Sequence, residues 1–284
     1  MFSKTWLWAI PLFLLPIFSY AHAQNNSQVL ELYVKSGMEK QVQQIPSVMQ
    51  ALFDQSVPQD DQAQKLPKEV LSAMRATVPE AFAPERMKET ILAELTRKLT
   101  AQDIKDTLQW LDAPLGKKCT QLEEAASTAE AQAEMQQYAA RLHDSPPTAE
   151  RLKVLRELDS AAKVTGNAVE MAIQTQAAVA LAIIATLPVE QQKPREEVYR
   201  EIEKTRPAVE ALVRSQTLIS LLWAYRSLTD AEIQRYTQFA KSPAGSKFYS
   251  ASMVAFDKAN LEGAIKWGKL IGDAMKEMKN KSEA

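Results

Sequence analysis

Apolar residues recur at three- and four-residue intervals along nearly the whole chain, and no convincing run alternates apolar and polar residues with a period of two. Ala, Gln, Glu, Lys and Leu dominate, while the Asn-Gly and Asp-Gly pairs that turn β-hairpins are missing. Prolines at Pro58, Pro67, Pro79, Pro84, Pro114, Pro146, Pro147, Pro188, Pro194, Pro207 and Pro243 divide this pattern. The intervals suit helices of about 10 to 30 residues, because proline is accepted in a helix's first turn and not in its interior. The pattern predicts an all-α fold.

Within it one stretch occurs twice. Leu99–Lys118 aligns with Leu228–Lys247 at an offset of 228 − 99 = 129 residues. Seven of twenty columns are identical: Leu99/Leu228, Thr100/Thr229, Ile104/Ile233, Gln109/Gln238, Pro114/Pro243, Gly116/Gly245 and Lys118/Lys247. Ordinary residue frequencies give about one. Trp110 faces Phe239 and Asp103 faces Glu232, which keeps the chemistry. The same offset pairs Ser36-Gly37 with Thr165-Gly166, and Pro67-Lys68-Glu69 matches Pro194-Arg195-Glu196 at an offset of 127. Two related multi-helix units follow, 24–144 and 149–284, joined by a linker at 145–148 (Ser145-Pro146-Pro147-Thr148).

The shared stretch reads as a helix corner. Thr100 and Thr229 are N-caps, and Asp103 and Glu232 take the capping-box position, Glu being the usual partner. Ile104, Leu108 and Leu111 mark the buried face of the first copy, and Ile233, Tyr236 and Ala240 that of the second. Ser242 caps the next helix, Pro243 presets its first turn, and Gly245 removes a Cβ where the preceding helix passes close by. Pro114 and Gly116 repeat that turn in the first copy; Ala113 stands where its cap belongs, so Asp112 or water is expected to substitute.

Leu228-Thr229-x-x-Glu232, Tyr236-x-x-Phe239, Ser242-Pro243-Ala244-Gly245 and Phe248 resemble the signature of the domain-of-unknown-function 2059 family, exported bacterial helical proteins. The resemblance is best over about 228–275, with a weaker first copy at about 99–118 that departs at Ala113, Leu115 and Cys119. It implies an all-α fold in a Gram-negative envelope, and it brings no catalytic residue and no ligand.

The first 23 residues carry the three parts of a cleaved export signal. Lys4 is the positive end, Trp6–Phe18 is an apolar run of 13 residues, and Ala21-His22-Ala23 is the cleavage site, leaving Gln24 first. Thirteen residues fall short of the roughly 20 that cross a bilayer, so no stable membrane anchor is expected after cleavage and the predicted location is the periplasm. The mature chain of 284 − 23 = 261 residues keeps one histidine, His143, which sits in the linker-like His143-Asp144-Ser145-Pro146-Pro147 and reads as a solvated loop residue. A net charge of −1 argues against nucleic acid as a partner. The single cysteine, Cys119, forbids an internal disulfide and reads as a small buried hydrophobe, the alternative being an intermolecular disulfide. No cofactor or metal set is legible, and Met275-x-x-Met278 reads as packing rather than a copper site.

Two further stretches stand out. Ala177–Leu187 is uncharged on every side, as a central bundle helix or the wall of an interface or apolar-ligand site. On the C-terminal helix Leu261, Ala264, Ile265, Gly268, Ile271, Gly272, Met275 and Met278 form a stripe in which Ala264, Gly268 and Gly272 admit a close helix neighbour, intramolecular or from a second copy. Glu190–Arg206 reads as a solvated charged face. The sequence thus predicts a non-enzymatic exported helical protein acting through contacts with an envelope protein or by self-association. The alternatives are a carrier of an apolar, lipid-like ligand between the units and, third, an envelope hydrolase.

Overall fold

The computed structural model describes residues 17–56, 68–184, 187 and 189–282. These hold thirteen α-helices and no strand. They are α1 (Ile17–Lys35), α2 (Met38–Ser56), α3 (Lys68–Ala81), α4 (Pro84–Lys98), α5 (Ala101–Asp112), α6 (Pro114–Ala126) and α7 (Ala129–Arg141). After residues 145–148 come α8 (Ala149–Ala162), α9 (Val164–Ile184), α10 (Arg195–Glu203), α11 (Arg206–Ala224), α12 (Asp230–Lys241) and α13 (Pro243–Ser282). Lys4 and most of the apolar run Trp6–Phe18 lie outside the described residues, as do Pro58, Pro67 and Pro188.

Proline punctuates the helices as the pattern requires. Pro84, Pro114, Pro207 and Pro243 sit in first turns, and Pro194 is the N-cap of α10. Pro46 lies inside α2, and Pro79 corrects the expectation by lying inside α3 rather than at a boundary. Its missing N–H leaves the Arg75 carbonyl without its helical donor, and the Gln50 side-chain amide of α2 donates there instead at 3.4 Å.

Helices α1–α6 and α8–α13 follow one another in like order, with α7 between. In each set the first helix packs on the fifth (α1 on α5, α8 on α12) and the second on the third and fourth (α2 on α3 and α4, α9 on α10 and α11). The left-handed residue between first and second helices is Gly37 in one set and Lys163 in the other. Gly166 lies inside α9, so the predicted pairing of Gly37 with Gly166 is three residues out of register here: the turns are alike, but the residues that make them are not those the fixed offset pairs.

The last helix of each set reaches into the other set while keeping neighbours of its own. α6 packs on α11 and α12, whereas α13 runs along α3, α4 and α5 as well as α9. One hydrophobic core accordingly joins Val29, Leu32, Met74, Phe82, Ile91, Leu95 and Ile104 to Phe248, Ala255 and Trp267 of α13. The other joins Leu155, Leu158, Trp223, Tyr225 and Ile233 to Cys119 of α6 and Ala131 of α7. Neither core is confined to one side of 145–148. Trp267, fully buried, is the centre of the first: its Nε1–H donates to the Met74 carbonyl at 2.9 Å, with the Phe53 and Phe82 rings edge-on to it.

Candidate functional site

The two corners form as the residues dictate. Thr100 Oγ1 accepts from the Asp103 amide and Thr229 Oγ1 from the Glu232 amide, both at 3.2 Å. The reciprocal bonds run from the Thr100 and Thr229 amides to the carboxylates at 3.0 and 2.7 Å. Asp103 thus completes its box despite the shorter side chain. A Cβ on Gly116 would collide with the Trp110 carbonyl, and one on Gly245 with the Phe239 carbonyl. Ser242 Oγ accepts from the Gly245 amide at 3.1 Å, capping α13. Ala113 offers α6 no side-chain cap, and Asp112 does not replace it. Its carboxylate faces away to Lys35 of α1, which holds it below the usual carboxylate range.

The corners also meet. The Trp110 and Phe239 rings stack with centroids 4.7 Å apart and planes 6° from parallel. Lys118 donates to Glu232 at 2.8 Å, and its counterpart Lys247 donates to Asp103, the counterpart of Glu232, at 3.0 Å. Residue i of one copy therefore contacts residue j of the other, and j contacts i, which is the rule of a two-fold interface. Burial opposes ionisation of Asp103, but the Thr100 hydroxyl and amide and Lys247 overcome it and lower its pKa. At Glu232 the Lys118 ammonium and the Thr229 donors bring the pKa down to about 2.

Beside the stacked rings the two corners differ in a way the sequence reading did not find. Glu123 Oε1 accepts from the Tyr225 and Tyr236 hydroxyls at 2.6 and 2.9 Å, and Tyr236 shares a further 2.9 Å bond with the Tyr249 hydroxyl. Burial raises the Glu123 pKa against those two donors, and burial pushes the neighbouring Cys119 thiol up to about 12. At the offset of 129 the counterparts of Tyr225, Tyr236 and Glu123 are Thr96, Thr107 and Ser252. Each of these bonds only to its own helix's carbonyls, of Leu92, Asp103 and Phe248. Comparing the copies column by column was the one signal available.

A cleft of about 660 Å³ with mixed polar and apolar walls opens between α8, α9, α11 and α13. Its acids are Asp159, Glu170, Glu210 and Asp257. Asp159 holds the amide and hydroxyl of Thr165, both at 2.7 Å; Glu170 is paired with Arg206 at 2.6 Å; Glu210 is paired with Arg214. Asp257 has only Gln174, and burial followed by the nearby Glu170 charge raises its pKa to about 6. An apolar groove beside Ala178, lined by Ile45, Met49, Phe82 and Met171, encloses about 20 Å³, near the space one water needs.

The other predicted residues lie apart. On α13 Ala264 is buried, but Cβ atoms on Gly268 and Gly272 would meet nothing within 4 Å and Ile265 is 51% exposed. The close approach is made instead by Gly263, against the Phe82 ring. Of Ala177–Leu187, Ala177 and Ala178 are fully buried, Leu181 is half-buried, and Ala185 and Thr186 lie outside the described residues; the Met278 side chain does too. Cys119 is buried, and the His143 side chain is 94% exposed beside Asp144. Among the described residues no group of His, Cys, Asp and Glu is placed to hold a metal, and no helix is long and apolar enough to cross a membrane.

Two helical sets of like order, closed on each other by reciprocal corners, define an all-α protein with two interlocked cores. Residues 85–144 match the family model described as "Uncharacterized protein conserved in bacteria (DUF2059)". The sequence reading places the resemblance best over 228–275; the match falls instead on the segment from α4 through α7, which holds the 99–118 corner. No curated protein and no solved structure matched the chain.

Proposed function

We propose that the protein is a non-enzymatic helical binding protein of the bacterial envelope, exported by a signal cut after Ala23, and that its two six-helix sets descend from one duplicated unit. The observation that carries this reading is the reciprocity of the corners. Trp110 on Phe239, Lys118 with Glu232 and Lys247 with Asp103 commit the repeated residues to holding two sets together. Residues spent in this way build a scaffold whose outer faces are left for a partner, an envelope protein or a second copy. Cleavage after Ala23 falls within α1 and leaves its core residues Val29, Leu32 and Tyr33 on the mature chain.

The acids of the cleft bear on the hydrolase alternative. Two-carboxylate hydrolysis needs a protonated acid and an ionised partner across the substrate; Asp257 is the candidate acid, and Asp159, Glu170 and Glu210 are engaged by Thr165, Arg206 and Arg214. The groove beside Ala178 has room for about one water, which leaves a lipid-like ligand no support there.

Three measurements on the native protein test the reading. Mass spectrometry of the periplasmic fraction is expected to find a chain beginning at Gln24. Light scattering with affinity capture from envelope extract is expected to give a defined complex, with itself or with one partner. Release of fragments from purified peptidoglycan, lost in Asp257→Asn, would instead establish a hydrolase.

A further inference from the structure

The cleft between α8, α9, α11 and α13 has a carboxylate that the fold leaves without a cation. Arg206 lies between Glu170 and Glu203, Arg214 is paired with Glu210, and Lys163 donates to the Ser250 hydroxyl at 2.8 Å. Asp257, on α13, faces Glu170 of α9 and has no cation of its own. Gln174, which hydrogen-bonds Asp257, has its own Oε1 buried without a partner. Val169, Leu218, Leu221 and Met253 supply apolar wall beside these polar groups. At the rim a Cβ on Gly166 would meet nothing within 4 Å, so the cleft is open at that point.

We propose that this cleft binds an organic ammonium ion carrying an apolar body, with Asp257 as the carboxylate that receives it. A partly buried carboxylate without a counter-charge is unfavourable, and an ammonium with three N–H donors offsets it. Such a cation serves Asp257 and lies within the field of Glu170; the apolar body covers Leu218 and Met253. A neutral or anionic ligand of the same shape leaves the acid unanswered. Asp257, raised to about 6, must lose its proton to bind a cation, so affinity follows its ionisation. Of the other charged groups lining the cleft, Asp159, Lys163, Glu170, Arg206, Glu210 and Arg214 are bonded to protein partners, and Arg156, exposed on α8, is not among the groups that shift Asp257.

The probe is hexylammonium, titrated into the mature chain by calorimetry and by amide chemical shifts, against hexanol and hexanoate. Hexylammonium is expected to bind at pH 7.5 at least tenfold more tightly than either control, with shifts centred on Gly166, Gln174 and Asp257. Affinity is expected to fall about tenfold between pH 7.5 and pH 5, as a carboxylate of pKa near 6 takes up its proton. Asp257→Asn should weaken binding at least tenfold. Gly166→Leu, which fills open space on a helix, should block it with an unchanged or higher Tm. The proposal is overturned if hexanol binds as well as hexylammonium, if both variants bind like the parent chain, or if no probe binds at millimolar concentration. The inference takes the cleft as a binding site rather than a catalytic one. Its failure is separable from that of the proposed function, because envelope capture is measured without the probe.

Discussion

Single residues show how much of the corner is written locally. As caps and turn residues, Thr100, Asp103, Pro114, Gly116 and their counterparts act within one or two turns of themselves, which is why spacing alone located them. Gly116→Ala and Gly245→Ala should each destabilise the fold by about 1 to 3 kcal/mol in urea titrations, since the new Cβ has a backbone carbonyl to displace. Asp257 gives the opposite sign. Its folded pKa of about 6 exceeds the ordinary 3.8, so the folded state binds the proton more tightly. Its contribution to stability is therefore greatest below pH 3.8 and is lost as pH rises through 6. Asp257→Asn should raise stability by about 1 kcal/mol at pH 7.5 and by nothing measurable near pH 4. Neither the Glu123–tyrosine network nor Trp267 was legible. Their partners lie about 100 and 193 residues away, beyond any local pattern.

At the scale of helices, periodicity and the corner residues gave the all-α class and the boundaries at the two corners, but only part of the buried face of α13. Ala264 and Ile271 of the predicted stripe are buried, but the buried face continues through Ala259 and Trp267 rather than through Gly268 and Gly272, which have open space beside them. Small residues permit a close approach; they do not require one, and the large Trp267 decided the orientation of the helix. The fixed offset likewise held over the corner and slipped at Gly166, because a turn between helices tolerates insertions that a packed corner does not. The reciprocal ion pairs differ in setting, with the Asp103 side chain 9% exposed and that of Glu232 27%. Double-mutant cycles should find coupling of about 1 kcal/mol between Lys247 and Asp103, and a smaller, more salt-sensitive coupling between Lys118 and Glu232.

For the whole molecule the consequence is cooperativity. α13 lies in the core of the first helical set and α6 in that of the second, so neither core survives loss of the other set. No reading of 145–148 as a linker could reveal this, because the exchange depends on where a helix goes after its corner and not on what the corner is made of. Trp267 reports on the first core and Trp223 on the second. Fluorine NMR of the mature chain labelled with 5-fluorotryptophan, followed through a urea titration, reads both in one sample. Interlocked cores predict that the two native signals vanish at the same urea concentration and that Gly245→Ala lowers both midpoints together. A Trp267 signal already unfolded while Trp223 remains native, or the reverse, would contradict the account.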